Sequence, residues 1–314
     1  MSPRRSDRSL AALLLVQRLV DNEAEPLGPK EFWSVVNSVD EPERLLPGTV
    51  SPEVGSPISS ELAQRITQRM AAATSLAFEL ERLEQSGLAV ISAVDGEYPL
   101  ALRERLGPTA PPILHVAGNL DLLTHAGIGV VGSRNADAAA LDVAASAAKE
   151  AAHRGLPVIS GGARGIDQES MKAALDAGGT AVGVLADSLA RLVTSPPVRR
   201  AIMERRLCLC TSYKPTAGFS VANAMGRNRL IYALSELTLV VSSDQGRGGT
   251  WEGAVEAIRG RLTDVVIWQG AGAGPGNAAL IALGGRPADS IDDALDPRGA
   301  PTRPSGPDQM SFGL

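Results

Sequence analysis

The sequence predicts an α/β protein with a doubly wound, mostly parallel sheet and a small helical N-terminal domain. Three observations carry that prediction. From Gly127 onward, short apolar runs alternate with helical patterns. The helical spacers are long enough for crossovers between parallel strands. Most of the runs stop at a glycine-rich turn or a small polar residue, as strands of an open sheet do at their ligand-binding ends. Composition agrees: 314 residues suggest about two domains, and 44% hydrophobic residues can form a core. The net charge of −5 excludes a chain that coats nucleic acid over its whole surface, yet leaves room for one basic crevice.

Residues 1–97 read as a separate helical domain. A helix is expected over residues 9–21, where Leu10, Leu13, Leu14, Leu19 and Val20 make one apolar face. Arg4-Arg5 precedes this stretch, but Gln17 and Arg18 interrupt it and no small-residue cleavage site follows, so a helix is preferred to a signal peptide. No run is long enough to span a bilayer, and the cytoplasm is the expected compartment. A second helix begins at Pro29, with proline in the first turn. Pro42, Pro47, Pro52 and Pro57 punctuate a loop. Ser59-Ser60-Glu61 then opens one long helix that ends at Ser86-Gly87, before a short strand over residues 88–92.

Residues 98–295 form the second domain. Residues 98–123 read as a connector with few helix or strand signals. Six strands follow, over residues 128–131, 158–159, 180–185, 207–211, 237–241 and 265–268, which makes the domain Rossmann-like. Cys208 and Cys210 share one face of the fourth of these and read as buried packing. The histidines, 115, 125 and 153, are scattered, and no spaced metal site is expected. Residues 296–314 are rich in Pro, Gly and Ser and read as a disordered tail.

The chemistry concentrates in the turns. Residues 127–132 spell G-x-G-x-x-G, but the first glycines precede or lie inside the strand, so a dinucleotide fingerprint is rejected. Gly132-Ser133-Arg134 offers a turn, a hydroxyl and a guanidinium before a helix start. Ser160-Gly161-Gly162-Ala163-Arg164-Gly165 repeats the arrangement one strand over, with Asp167 expected as a helix cap. Gly226-Arg227-Asn228-Arg229 is read as a cationic helix start that needs an anion, joined by Lys214. Gly246-Arg247-Gly248-Gly249-Thr250 is another phosphate-cradling shape, without the ending of a triphosphate loop. No nucleophile–base pair accompanies these turns, so no catalytic residue, cofactor or metal is assigned. The turns read as a site that holds phosphates.

At these residues the sequence resembles the DprA/Smf family of DNA-processing proteins. The resemblance runs over nearly the whole chain, from the helical N-terminal region to about Leu295. It rests on the order of Tyr98-Pro99, Pro111-Pro112, Gly118-Asn119, Val131 to Arg134, Ser160 to Asp167, Gly178-Gly179-Thr180, Gly226 to Arg229 with Leu234-Ser235, and Gly276-Asn277 with Leu280-Ile281. The resemblance implies a Rossmann-like domain that binds single-stranded DNA, forms a homodimer and helps load a RecA-type recombinase, after an N-terminal domain of the SAM-like kind. It implies Arg134, Arg164, Arg227 and Arg229 as phosphate contacts. Ser133, Gly161, Gly165, Asn228, Gly248, Gly249 and Thr250 are expected to line the pocket. The chain departs from the family pattern at Met171, where a histidine is usual. It departs again at residues 188–196, at Ser242, and in carrying no winged-helix pattern after residue 295. The alternative is a nucleotide-binding sensor or nucleotide hydrolase of a related Rossmann-like family, for which Glu252 is read as out of phase on its helix.

Overall fold

The computed structural model describes residues 6–38, 42–45 and 58–297. Helices α1 (Asp7–Val16), α2 (Pro29–Ser38), α3 (Ser60–Met70) and α4 (Ala73–Gln85) come first. Ser6 and Ser59 cap α1 and α3 by accepting from the backbone N–H three residues on. α1 stops four residues or more before the expected end, because Gln17 Oε1 accepts the N–H groups of Leu19 and Val20 and turns the chain. The expected long helix is two, α3 and α4, broken at Ala71-Ala72. Arg69, at the end of α3, is buried and donates to the carbonyls of Leu14, Gln17 and Ala24, which fixes α3 against the end of α1. The proline-punctuated loop and the expected tail fall largely outside the described residues.

Strand β1 (Ala89–Ser92) pairs antiparallel with β2 (Ile113–Gly118), and β2 pairs antiparallel with a later strand. Helix α5 (Leu100–Leu106) lies between them. The stretch read as a connector therefore holds a helix and a strand. Its prolines flank these elements rather than interrupt them, and Tyr98 donates its hydroxyl to the Pro111 carbonyl to close the segment. The boundary expected at residue 97 falls between two paired strands, so the sheet begins on its N-terminal side.

The alternating region gives β3 (Ile128–Val131), α6 (Ala138–His153), β4 (Val158–Ser160), α7 (Ile166–Asp176), β5 (Ala181–Val184), α8 (Leu189–Leu192), α9 (Pro196–Met203), β6 (Leu207–Thr211), α10 (Val221–Leu234), β7 (Leu237–Val240), α11 (Gly248–Gly260), β8 (Asp264–Trp268), α12 (Asn277–Ala282), β9 (Arg286–Ala288) and α13 (Ile291–Ala294). One nine-stranded sheet results, ordered β1-β2-β6-β5-β4-β3-β7-β8-β9. All pairs from β6 to β9 are parallel. β9 escapes the pattern search because Arg286-Pro287-Ala288 carries a proline, which an edge strand tolerates.

The sheet is wound on both faces. α6, α7 and α13 cover one face with alanines, and α10, α11 and α12 cover the other. The alanines of α6 at 140, 144, 147, 148 and 151 are buried, which lets that helix lie close to α7 and the sheet. The second core cluster runs without a break from α1 and α2 through β2 and β6 to α10. Trp33 of α2 donates to the Ala110 carbonyl within it. Cys208 and Cys210 lie buried in β6 as expected. After β6 the chain returns through α10 to the far side of β3. The order of strands thus reverses between β3 and β7, and that is the place where an open parallel sheet leaves a crevice.

Candidate functional site

A cavity of about 500 Å³ opens at this switch point. Val131, Gly132 and Ser133 form its floor at the end of β3, and Gly248, Gly249 and Thr250 approach from the start of α11. Arg227, Asp167 and Tyr232 stand at its back, with Phe219, Val221 and Met225 along the rim.

Local bonds hold these turns in register. Ser133 donates its N–H to the Ser242 carbonyl, which ties the ends of β3 and β7 together. Thr250 Oγ1 donates to the Gly132 carbonyl at 3.0 Å, and Asn228 Nδ2 to the Gly249 carbonyl at 2.8 Å. Asn277, from the Gly-Asn motif, is buried behind them. It donates to the carbonyls of Val241 and Trp268 and accepts from Ser243. Gly165 has φ +88°, and a side chain there would meet the Ser133 carbonyl oxygen at 2.4 Å, so only glycine lets the two turns touch.

The turns differ in what they offer. At α11 the first backbone N–H groups have no side-chain cap and face the cavity, a ready anion seat. At α6 the start lies four residues beyond Arg134, and Asp137 already caps it. At α7 the N–H groups of Gly161 and Ala163 turn to the Asp167 carboxylate. Asp167 is therefore no helix cap. It sits inside the first turn of α7 and pairs with Arg227 at 3.2 Å, both side chains more than nine-tenths buried. Burial pushes the Asp167 carboxyl up, and Arg227 and the two N–H groups pull against it. Gly161 leaves the space for that pair, since a Cβ there would overlap Arg227 Nη1.

The structure corrects the reading of residues 226–229. They lie in the middle of α10, whose start is at Val221 behind the Ser220 cap. Their charge therefore has no conflict with a helix dipole, and that reason for an anion is void. Ser133, Arg134, Arg227, Asn228, Gly248, Gly249 and Thr250 do meet in one cavity. Arg164 joins at its edge by donating to Asn135 Oδ1 at 2.5 Å, and Gly161 and Gly165 lie beneath. Lys214 and Arg229 do not join. They line a different cavity on the other side of α10, where Arg229 pairs with Glu256 at 2.7 Å. Arg134 stays exposed, its guanidinium 5.4 Å from the Phe219 ring centroid. Asn135, Tyr232 and Glu252 also line or flank the site, and no spacing rule marks them in the chain. Glu252 in particular reaches the cavity despite the phase expected of it.

A family model described as DNA recombination-mediator protein A matches residues 89–296, from β1 to just past α13. The chain belongs to this family. Curated relatives agree: a protein named "Putative DNA processing protein DprA" from Mycobacterium tuberculosis is 31% identical over 223 residues, which are 67% of this chain and 57% of that protein. The chain therefore spans little more than half the length of that relative. The DprA of Bacillus subtilis is 28% identical over 204 residues, 61% of this chain and 68% of the relative. Among solved structures, DprA from Streptococcus pneumoniae superposes with a TM-score of 0.59 at 25% identity, over 75% of this chain and 84% of that one. The Helicobacter pylori protein, whose structure is described by its single-stranded DNA binding mode, superposes at 0.55 and 20% identity, over 66% and 93%. It shares the fold.

Proposed function

We propose that this member of the DprA family is a non-catalytic binder of single-stranded DNA that uses the switch-point cavity. One observation carries the reading: the uncapped start of α11 converges with the Ser133 hydroxyl and the exposed guanidinium of Arg134 at one cavity. Backbone N–H groups and a hydroxyl suit a phosphate oxygen, and a guanidinium adds a bidentate partner. Arg164 and Arg247 extend the positive edge, Arg247 only loosely engaged by Asp244 at 3.6 Å. Phe219, half-exposed beside Arg134, is a platform for a base. With Phe219 the exposed aromatic ring lining the cavity and Tyr232 buried, such a site reads the backbone more than the sequence of bases. Arg227 acts from behind as the buried partner that holds Asp167 and the α7 turn in place. Homodimer formation and a RecA-type recombinase partner complete the proposal, on the strength of family membership.

The test is fluorescence anisotropy with a labelled poly-dT strand and a matching duplex at two salt concentrations. The expected result is single-strand preference and affinity that falls with salt. Arg134→Ala with Arg164→Ala should weaken binding and reduce the salt slope by about 0.7 for each phosphate that is no longer neutralised. No salt-dependent single-strand binding by the wild-type chain would sink the proposal. A second reading follows from Glu252, a carboxylate at the cavity beside Gly248-Gly249-Thr250. It suits a nucleotide hydrolase, and nucleotide turnover abolished by Glu252→Gln would establish it in place of the first.

A further inference from the structure

A single strand of more than a few nucleotides outgrows a cavity of about 500 Å³ and has to leave it across the surface. The segment after β6 marks a way out. It runs from Lys214 to Phe219, the ring at the rim of the switch-point cavity. Five positions separate these residues, so their Cα atoms lie at most about 18 Å apart. The Ala217 N–H donates to the Lys214 carbonyl at 2.8 Å, which bends the segment and shortens that distance.

Lys214 stands on a groove of about 430 Å³ between the end of α4, α8 and this segment. Arg18, from the segment after α1, and Arg82 of α4 line it too. Glu79 is the one carboxylate among its described lining residues, and Arg82 engages it at 2.7 Å. Arg18 and Lys214 are exposed, and neither has an ion-pair partner among the described residues. Behind Arg18 lies Arg69, whose buried guanidinium bonds carbonyls and no carboxylate among the described residues. Burial, and the charge of Arg18 nearby, hold Arg69 below its ordinary value. The groove is therefore positive on a chain whose net charge is −5. A cleft lined by one sign of charge concentrates the other. The mostly apolar cavity behind α10, also about 500 Å³, shares Arg18, Leu19 and Lys214 with the groove, but its further cation, Arg229, is paired with Glu256. No aromatic ring lines the groove among the described residues, so it suits a sugar–phosphate backbone rather than stacked bases.

We propose that this groove is a second contact for the strand held at the switch point, with phosphates at Lys214 and Arg18. The inference rests on the switch-point reading and adds the N-terminal helical region to the DNA-binding surface. Contacts of this kind position the strand and carry no preference among bases.

The test is anisotropy with two labelled poly-dT strands, one of about six nucleotides, which fills the cavity alone, and one of about twenty-five, which reaches beyond it. Arg18→Ala with Lys214→Ala should weaken the long strand about tenfold at low salt and lower its salt slope by about 1.4, or about 0.7 for each of two phosphates. The short strand should bind the double variant and the wild type alike. Both side chains are exposed, so the melting temperature should not move. Thr216→Glu, which adds a negative charge on the groove wall and removes no cation, should weaken the long strand in the same selective way. If both variants bind the long strand like the wild type, while Arg134→Ala with Arg164→Ala weakens it, the groove proposal is overturned and the switch-point reading stands. Equal weakening of both strands also overturns it, because the cations would then act on the cavity itself. Failure of the wild type to bind either strand overturns both readings.

Discussion

Helix α10 turns Ala224, Arg227 and Asn228 toward the switch-point cavity, and Asn223, Gly226 and Leu230 toward the cavity behind it. The two spaces have similar volumes and share this wall, yet their buried polar groups are held by different kinds of partner. In the first, Arg227 has Asp167, Thr250 has Gly132 and Asn228 has Gly249. Only Arg227 Nε and the Tyr232 hydroxyl are left without a partner among the described buried groups there. In the second, the buried ring of His115 is faced only by the backbone carbonyls of Thr211 and Tyr213. The comparison separates a site framed by paired side chains from one whose buried imidazole meets only backbone. It also separates arginines that look equivalent in the chain: Arg227 is framework, while Arg134, in the open, is free to meet a ligand.

The largest expected effect breaks the paired frame. Arg227→Ala leaves the Asp167 carboxylate buried and unpaired, which costs about 3–5 kcal/mol. A thermal or urea melt should show it, and a wild-type melting temperature would refute the framework role.

The buried imidazole should show itself as acid sensitivity. Burial pushes the His115 imidazole down to about 4, from an ordinary value of 6.5. The unfolded chain therefore takes up the proton first. His115 stability is full above pH 6.5 and is lost as pH falls toward 4, by about 3 kcal/mol in all. Urea melts at pH 7 and pH 4.5 should fall less for His115→Gln than for the wild type. Equal slopes would mean that this imidazole is not held neutral.

Gly165→Ala tests the contact between the first two turns. The positive φ and the clash with Ser133 should cost about 1–3 kcal/mol in unfolding free energy, and nucleic-acid binding should weaken with it. The smallest effect on stability belongs to Arg134→Ala. An exposed guanidinium stacked on Phe219 should contribute under about 1 kcal/mol to the fold, while its removal lowers single-strand affinity. A large drop in melting temperature would move Arg134 into the same class as Arg227.

Much of the sheet was legible because its signals are local. β3 to β8 are short apolar runs, and most of them end at glycine or a small polar residue. β2 and β9 were not, since prolines border the one and occupy the other. The long helix through residues 71–72 looked continuous because three alanines carry no stop signal. The break follows directly on Arg69, whose side chain is drawn to carbonyls of α1 and of the segment after it. The misplaced start of α10 had a visible alternative in Ser220, but residues 221–226 show no apolar stripe to give it weight.

The sequence by itself determined the parallel alternation, the winding on both faces and the glycines at the switch point. Each of these follows from periodicity, or from the conformations open to one residue. Only the tertiary structure decided which cations face a ligand and which serve the frame. Asp167 and Arg227 stand sixty positions apart, and Arg229 and Lys214 are turned away by the phase of a helix and the path of a loop. Burial and pairing are properties of neighbours in space, so a charge in a sequence motif acquires its role only when the fold supplies its partner.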